Sequence, residues 1–171
     1  DGRSVLVRQA GRDTLAAGRV TNVDGLLVEG VFLGSREEIG WVWSENGAGA
    51  IFPESLERLT ADAPESLRAS MQSQPWRFAQ WGLEAIRAEI AAGAPALDAL
   101  SDPDAPLEIL RSSLAWRWNE HEETLSHMEI SEEEIVSRLA AAGKNAVLAR
   151  ALIEAHYFAH ACFLEPGYLL K

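Results

Sequence analysis

Cysteine is almost missing from this chain. The single Cys162 permits no intramolecular disulfide and no thiolate zinc cluster, which fits a reducing compartment, so a cytoplasmic protein is expected. Basic residues are also scarce: 15 Lys and Arg stand against 26 Asp and Glu, a net charge of -11. Binding nucleic acid or an anionic membrane depends on basic groups that displace counterions, so neither is an expected partner. No apolar run approaches the ~20 residues that a bilayer-spanning helix requires. The chain starts at Asp1 rather than Met, which leaves a preceding targeting segment open. What is present is the composition of an ordinary folded protein, 47% hydrophobic and 24% charged over 171 residues. That is enough to build a buried core and too apolar for disorder.

The chain changes character near residue 60. Before it, residues 4–9 (SVLVRQ), 19–23 (RVTNV), 26–33 (LLVEGVFL), 39–44 and 50–52 read as short strands separated by turn signals such as Asp24-Gly25. The reading for 1–60 is a β-rich subdomain, an N-terminal curved antiparallel sheet or small SH3-like barrel of about five strands. Residues 61–74 form a connection. From Pro75 the apolar spacing becomes helical: Trp76, Ala79, Leu83, Ile86 and Ile90 lie on one stripe of a helix that ends at Gly93. Further helices are expected at about 105–125, from Ser131 to Gly143, and at about 145–163. The SEEE at Ser131 suggests a capping box. The fold class is therefore α+β, with a four-helix region over 75–171.

One passage looks like a motif: WVWSENGAGAIFP, residues 41–53. A dinucleotide-binding turn needs GxGxxG between a strand and a helix. Here Gly47 and Gly49 supply the first two positions, but Phe52 occupies the third, and no lysine follows to make a P-loop. Asn46-Gly47 reads instead as a hairpin turn. In a strand, Trp41 and Trp43 face the same side. Facing inward, they join the core beside Trp76 or Trp81; facing outward, they form a platform for a ligand ring. The apolar Val42 between them favours burial.

The titratable residues form no complete catalytic set. Cys162 lies in the apolar HACFL, no serine occupies a GxSxG elbow, and no His-Glu-x-x-His helix occurs. His121 falls on an apolar helix face, where a core histidine bonded to backbone, Tyr157 or Asn119 is expected. His156 and His160 are four apart, a spacing that can bring two imidazoles to one metal, but the paired Glu-x-x-His motifs that complete such sites are missing. No metal and no cofactor are called for.

The acidic excess is concentrated after Trp118, where Glu120, Glu122, Glu123, Glu129, Glu132, Glu133 and Glu134 follow with no Lys or Arg between them. A block of one sign is ordinarily a solvated face, and it is also what a protein that captures a basic partner presents. Trp116, opposite the Leu107–Leu114 stripe, is a candidate anchor beside it. The expected function is a non-catalytic protein-binding module of inhibitor, immunity or adaptor type. Its contacts would be Trp116, Glu120, Glu123, Glu132, Glu133 and Glu134. The alternative is a metal-dependent enzyme or small-ligand binder whose site lies between sheet and helices, lined by Trp41, Trp43, His121, His156 and His160.

Overall fold

The computed structural model of the chain describes residues 32–168, apart from 103 and 128. Among the described residues there are eight α-helices and no strand. This overturns the expected α+β fold with its sheet or SH3-like barrel. The strands expected at 4–9 and 19–23, and most of that at 26–33, lie outside the described residues. The other two can be corrected directly. Residues 39–44 belong to a helix, α1 (Arg36–Val42), and its C-terminal turn. Residues 50–52 end a 3-10 turn at Ala48–Ala50.

The cause is local and lies just upstream. Ser35 accepts a hydrogen bond from the Glu38 backbone N–H at 3.2 Å, while the Glu38 carboxylate accepts from the N–H of Ser35 at 3.1 Å and of Leu33 at 2.9 Å. This reciprocal capping box satisfies otherwise orphaned donors and starts a helix where apolar alternation alone suggests a strand. Asn46-Gly47 then makes no hairpin. It belongs to a tight turn whose backbone N–H groups return to Ser44, from Gly47 at 3.1 Å and Gly49 at 3.0 Å.

Proline opens three of the following helices at their first turn, where its missing N–H costs nothing: α2 (Pro53–Thr60), α4 (Pro75–Ala92) and α5 (Pro95–Ala99). Between them lies the short α3 (Glu65–Arg68). α4 ends at Gly93, as its pattern indicates. The helix expected at 105–125 is divided in two, α6 (Leu107–Leu110) and α7 (Leu114–Ser126). Ser113 divides them by capping a new start, with its hydroxyl accepting from the Trp116 N–H at 3.4 Å. α8 (Glu132–Ala159) is capped by Ser131, which accepts from the Glu134 N–H at 3.2 Å. It breaks at Gly143, where φ is 78°, a backbone region that disfavours any residue with a Cβ. No helix among the described residues is long and apolar enough to cross a membrane.

α7 is the central element, packed on α2, α4 and α8. Every residue from Leu114 to His121 is buried, so this helix has no solvent face along its first two turns. Two apolar clusters lie on its opposite sides. One gathers Ile39, Trp43, Leu56, Leu59, Phe78, Leu83, Ile86, Leu114 and Trp118. The other surrounds Trp116 with Leu97, Leu100, Leu110, Ile135, Leu139 and Val147.

The first cluster is aromatic at its centre. The Trp43 ring meets Phe78 at 5.0 Å, Trp118 at 5.3 Å and Phe158 at 5.4 Å, all edge-on. Such pairs add roughly 0.5–1.5 kcal/mol each beyond the area they bury. Trp41 and Trp43 do not share a face: Trp43 is wholly buried, while Trp41 remains half exposed. Trp118 also sets how closely α4 approaches α7. A methyl group added at Gly82 would stand 2.5 Å from its ring.

Candidate functional site

The residues singled out in the sequence fall into three places. The first is a polar seam in the α2–α7 interface. His121 is fully buried, and both ring nitrogens are engaged: Nε2 with the Val42 carbonyl at 3.2 Å, and Nδ1 with the Ser55 hydroxyl at 2.9 Å. A carbonyl only accepts, so Nε2 carries the proton and Ser55 donates to Nδ1. Burial, helped by the nearby Arg58 charge, pushes the imidazole pKa down to about 4, although the bond to Val42 opposes this. The pair is closed on every side, so Ser55 is not a nucleophile awaiting a base. His121 is the backbone-bonded core histidine expected from its helix face, with Ser55 in the place expected for Tyr157 or Asn119.

Glu120, in the same seam, is buried rather than displayed. Arg111 grips its carboxylate with Nε at 3.1 and 3.2 Å and with Nη2, while Arg58 Nε lies 3.3 Å away. The Glu120 hydrogen bond is also the main reason that the Arg111 guanidinium stays protonated above its ordinary range. Arg117 reaches from α7 to Asp62 and to the Arg58 carbonyl. Arg111 and Arg58 lie outside the acidic run in sequence and are folded back onto it.

The second place is the N-terminus of α8 and the edge of α7. Glu132 pairs with Arg111 and Glu134 with Arg138. Glu123 accepts from Arg150 Nη1 at 2.7 Å and lies 3.9 Å from Arg138. Glu133 is fully exposed, and its pKa is lowered by a hydrogen bond from its own backbone N–H and by the Ser131 hydroxyl. The acidic edge thus runs from Glu123 through Arg138 to Glu134, partly neutralised along its length. Trp116, the expected surface anchor, is 1% exposed and lies in the second core cluster.

The third place is the end of α8. After the helix, Ala161, Cys162 and Phe163 adopt φ of 49°, 55° and 58°, three consecutive left-handed residues with no glycine among them. Each costs about 1–2 kcal/mol relative to a right-handed conformation. The turn returns Phe163 onto the helix end, where it stacks on His160 at 5.1 Å and meets Tyr157 and His156 at 5.4 Å. His156 and His160 are drawn together, with ring centres 4.5 Å apart. The structure places them away from His121, which lies in the α2–α7 seam. Cys162 packs against the Gly34 backbone, and burial, with the Glu38 and Glu154 charges, raises its thiol pKa. Among the described residues no group of three or more His, Cys, Asp or Glu side chains is arranged to hold a metal ion.

Beside this turn opens a groove of about 480 Å³ between α1, the end of α7 and the second half of α8. Its apolar wall is exposed to solvent: Trp41 at 50%, Ile153 at 48%, Tyr157 at 41% and Phe32 at 38%. Glu122, Glu123 and Glu154 stand at its rim with Arg150. Trp41 and Tyr157 lie more than a hundred residues apart in sequence, so no local pattern could reveal the groove. A larger hollow of about 690 Å³ lies on the other side of the turn, lined by Ser35, Trp76, Leu164 and Tyr168 among others.

Compared with protein-family models, curated proteins and solved structures, the chain has no match.

Proposed function

We propose that this chain is a non-catalytic protein-binding module, of inhibitor or adaptor type, that captures a basic segment of a protein partner. The observation that carries this reading is the groove at Trp41, Ile153, Tyr157 and Phe32 with its rim of glutamates. Large aromatic and aliphatic side chains gathered at one exposed spot form an anchor site of the kind that concentrates binding energy. The carboxylates around it favour Lys or Arg flanking an apolar anchor. A second copy of the chain is a poor occupant, because two molecules of charge -11 would meet acidic rim to acidic rim. The same charge disfavours nucleic acid and anionic membrane as occupants. The lone, half-buried Cys162 thiol suits a reducing compartment, and we place the protein in the cytoplasm.

The acidic block enters this reading in altered form. Glu120 holds the fold together through Arg111 and Arg58. Glu123 at the rim and Glu134, linked to it through Arg138, carry the charge that accelerates encounter more than it tightens the complex, whereas Glu132 and Glu133 line a separate hollow with Leu107 and Val136. The enzyme alternative loses its proposed location, since no sheet faces the helices among the described residues.

The test is site-directed photo-crosslinking from position 41 in cells, followed by measurement with the purified adduct partner. The reading expects a basic protein that binds 1:1, at least tenfold more weakly to Trp41→Ala or Ile153→Ser, with affinity falling as salt rises. A partner whose affinity ignores both substitutions, or self-association through position 41, would reject it.

A further inference from the structure

The histidine pair at the end of α8 has a geometry that the docking reading does not use. His160 Nδ1 lies 2.7 Å from the His156 backbone carbonyl. Because that oxygen only accepts, Nδ1 carries the proton, and the lone pair of His160 is left on Nε2. A second hydrogen bond of this kind, from the distal ring nitrogen to a backbone carbonyl, is what orients most metal-binding histidines. The Phe163 ring lies flat on His160, at an angle of 8°, which covers one face of the imidazole and leaves its edge open. Both histidines retain solvent exposure.

Each coordination geometry sets its own spacing between two ligand rings whose lone pairs converge on one ion. A metal bonded to an imidazole nitrogen at ~2.0 Å lies about 3.2 Å from that ring's centre. Two such rings at 90° around one metal then have centres about 4.5 Å apart, whereas a tetrahedral angle would set them about 5.2 Å apart. The observed spacing is 4.5 Å.

We propose that His156 and His160 form a two-imidazole surface site for a divalent cation of tetragonal preference, copper(II) foremost. Nickel(II) shares this geometry and binds nitrogen sites more weakly, and zinc in its tetrahedral form fits less well. Water completes the coordination. The left-handed turn takes part by pressing Phe163 against both rings, which holds them at the spacing of adjacent ligands before any ion arrives.

The experiment uses the full chain titrated with copper(II) in a non-chelating buffer, followed by calorimetry and electron paramagnetic resonance. The wild type is expected to bind one copper per chain, with hyperfine structure from two equivalent nitrogens, and to melt at a higher temperature when loaded. His156→Ala and His160→Ala should each weaken binding roughly tenfold or more and lose the two-nitrogen pattern, while retaining the far-ultraviolet circular dichroism of the wild type. His127→Ala, on another part of the surface, serves as the reference and should bind as the wild type does. Unchanged copper binding in the His156→Ala and His160→Ala variants, or no stoichiometric binding to the wild type, would overturn the site.

Discussion

Acidification should destabilise this protein through one identifiable residue, His121. Its imidazole is neutral in the folded state, with a pKa of about 4, against about 6.5 in an unfolded chain. Above pH 6.5 neither state binds the proton, and the full stability is present. Between pH 6.5 and 4 the unfolded chain takes up a proton that the native protein refuses, so stability falls as pH falls. Below pH 4 both states are protonated and this contribution is exhausted. At about 1.4 kcal/mol per pH unit, the window amounts to about 3 kcal/mol, a large share of the stability of a domain this size. Carboxylates titrate over part of the same range, so the contribution is isolated by difference. Urea unfolding of the wild type and of His121→Gln would be followed by tryptophan fluorescence at half-unit steps from pH 7.5 to 4.5. The variant starts less stable, having lost the Ser55 and Val42 bonds in their native form. Its deficit should then shrink by about 2–3 kcal/mol as pH falls. Parallel curves for the two proteins would show that the imidazole is not held neutral, and would refute the closed Ser55–His121–Val42 arrangement.

Three other substitutions probe the packing and the turn. Removing the buried carboxylate, by Glu120→Ala, should cost about 1.5–3 kcal/mol, because Arg58 loses its partner and Arg111 keeps only Glu132; a loss below 1 kcal/mol in chemical denaturation would contradict the buried network. Gly82→Ala should cost about 1–3 kcal/mol by forcing α4 away from the Trp118 ring, and a neutral result would mean that the two helices are not in such close contact. Ala161→Gly should raise stability by about 0.5–1 kcal/mol, because its left-handed backbone suits glycine and its side chain is exposed; a destabilised variant would argue against the left-handed turn.

Legibility in the sequence followed the range of the interactions involved. α4 was readable because Pro75, the stripe from Trp76 to Ile90 and Gly93 lie within one continuous segment. The start of α8 at Ser131 and its break at Gly143 were readable for the same reason. α1 reads as a strand because the apolar IGWVW outweighs the capping signal of Ser35 and Glu38, although that signal is just as local. Trp116 reads as a surface residue only if α7 is amphipathic. A helix buried all round keeps no polar stripe, and its buried Arg117, Asn119 and Glu120 are engaged by Asp62, the Val147 carbonyl and Arg111. The acidic block looked unopposed because its arginines lie elsewhere: Arg111 before it, Arg138 and Arg150 beyond it. The groove was not legible at all, since Phe32, Trp41, Ile153 and Tyr157 are joined only by the packing of α1 and α7 against α8.

Affinity measured against salt and substitution decides whether that groove docks a basic partner. For the partner identified by crosslinking at position 41, titration calorimetry should give 1:1 binding that weakens with rising ionic strength. It should lose tenfold or more in affinity for Trp41→Ala, with thermal stability retained because half of that ring is already in solvent. Full affinity in Trp41→Ala and Ile153→Ser, together with insensitivity to salt, would exclude the groove as the docking site.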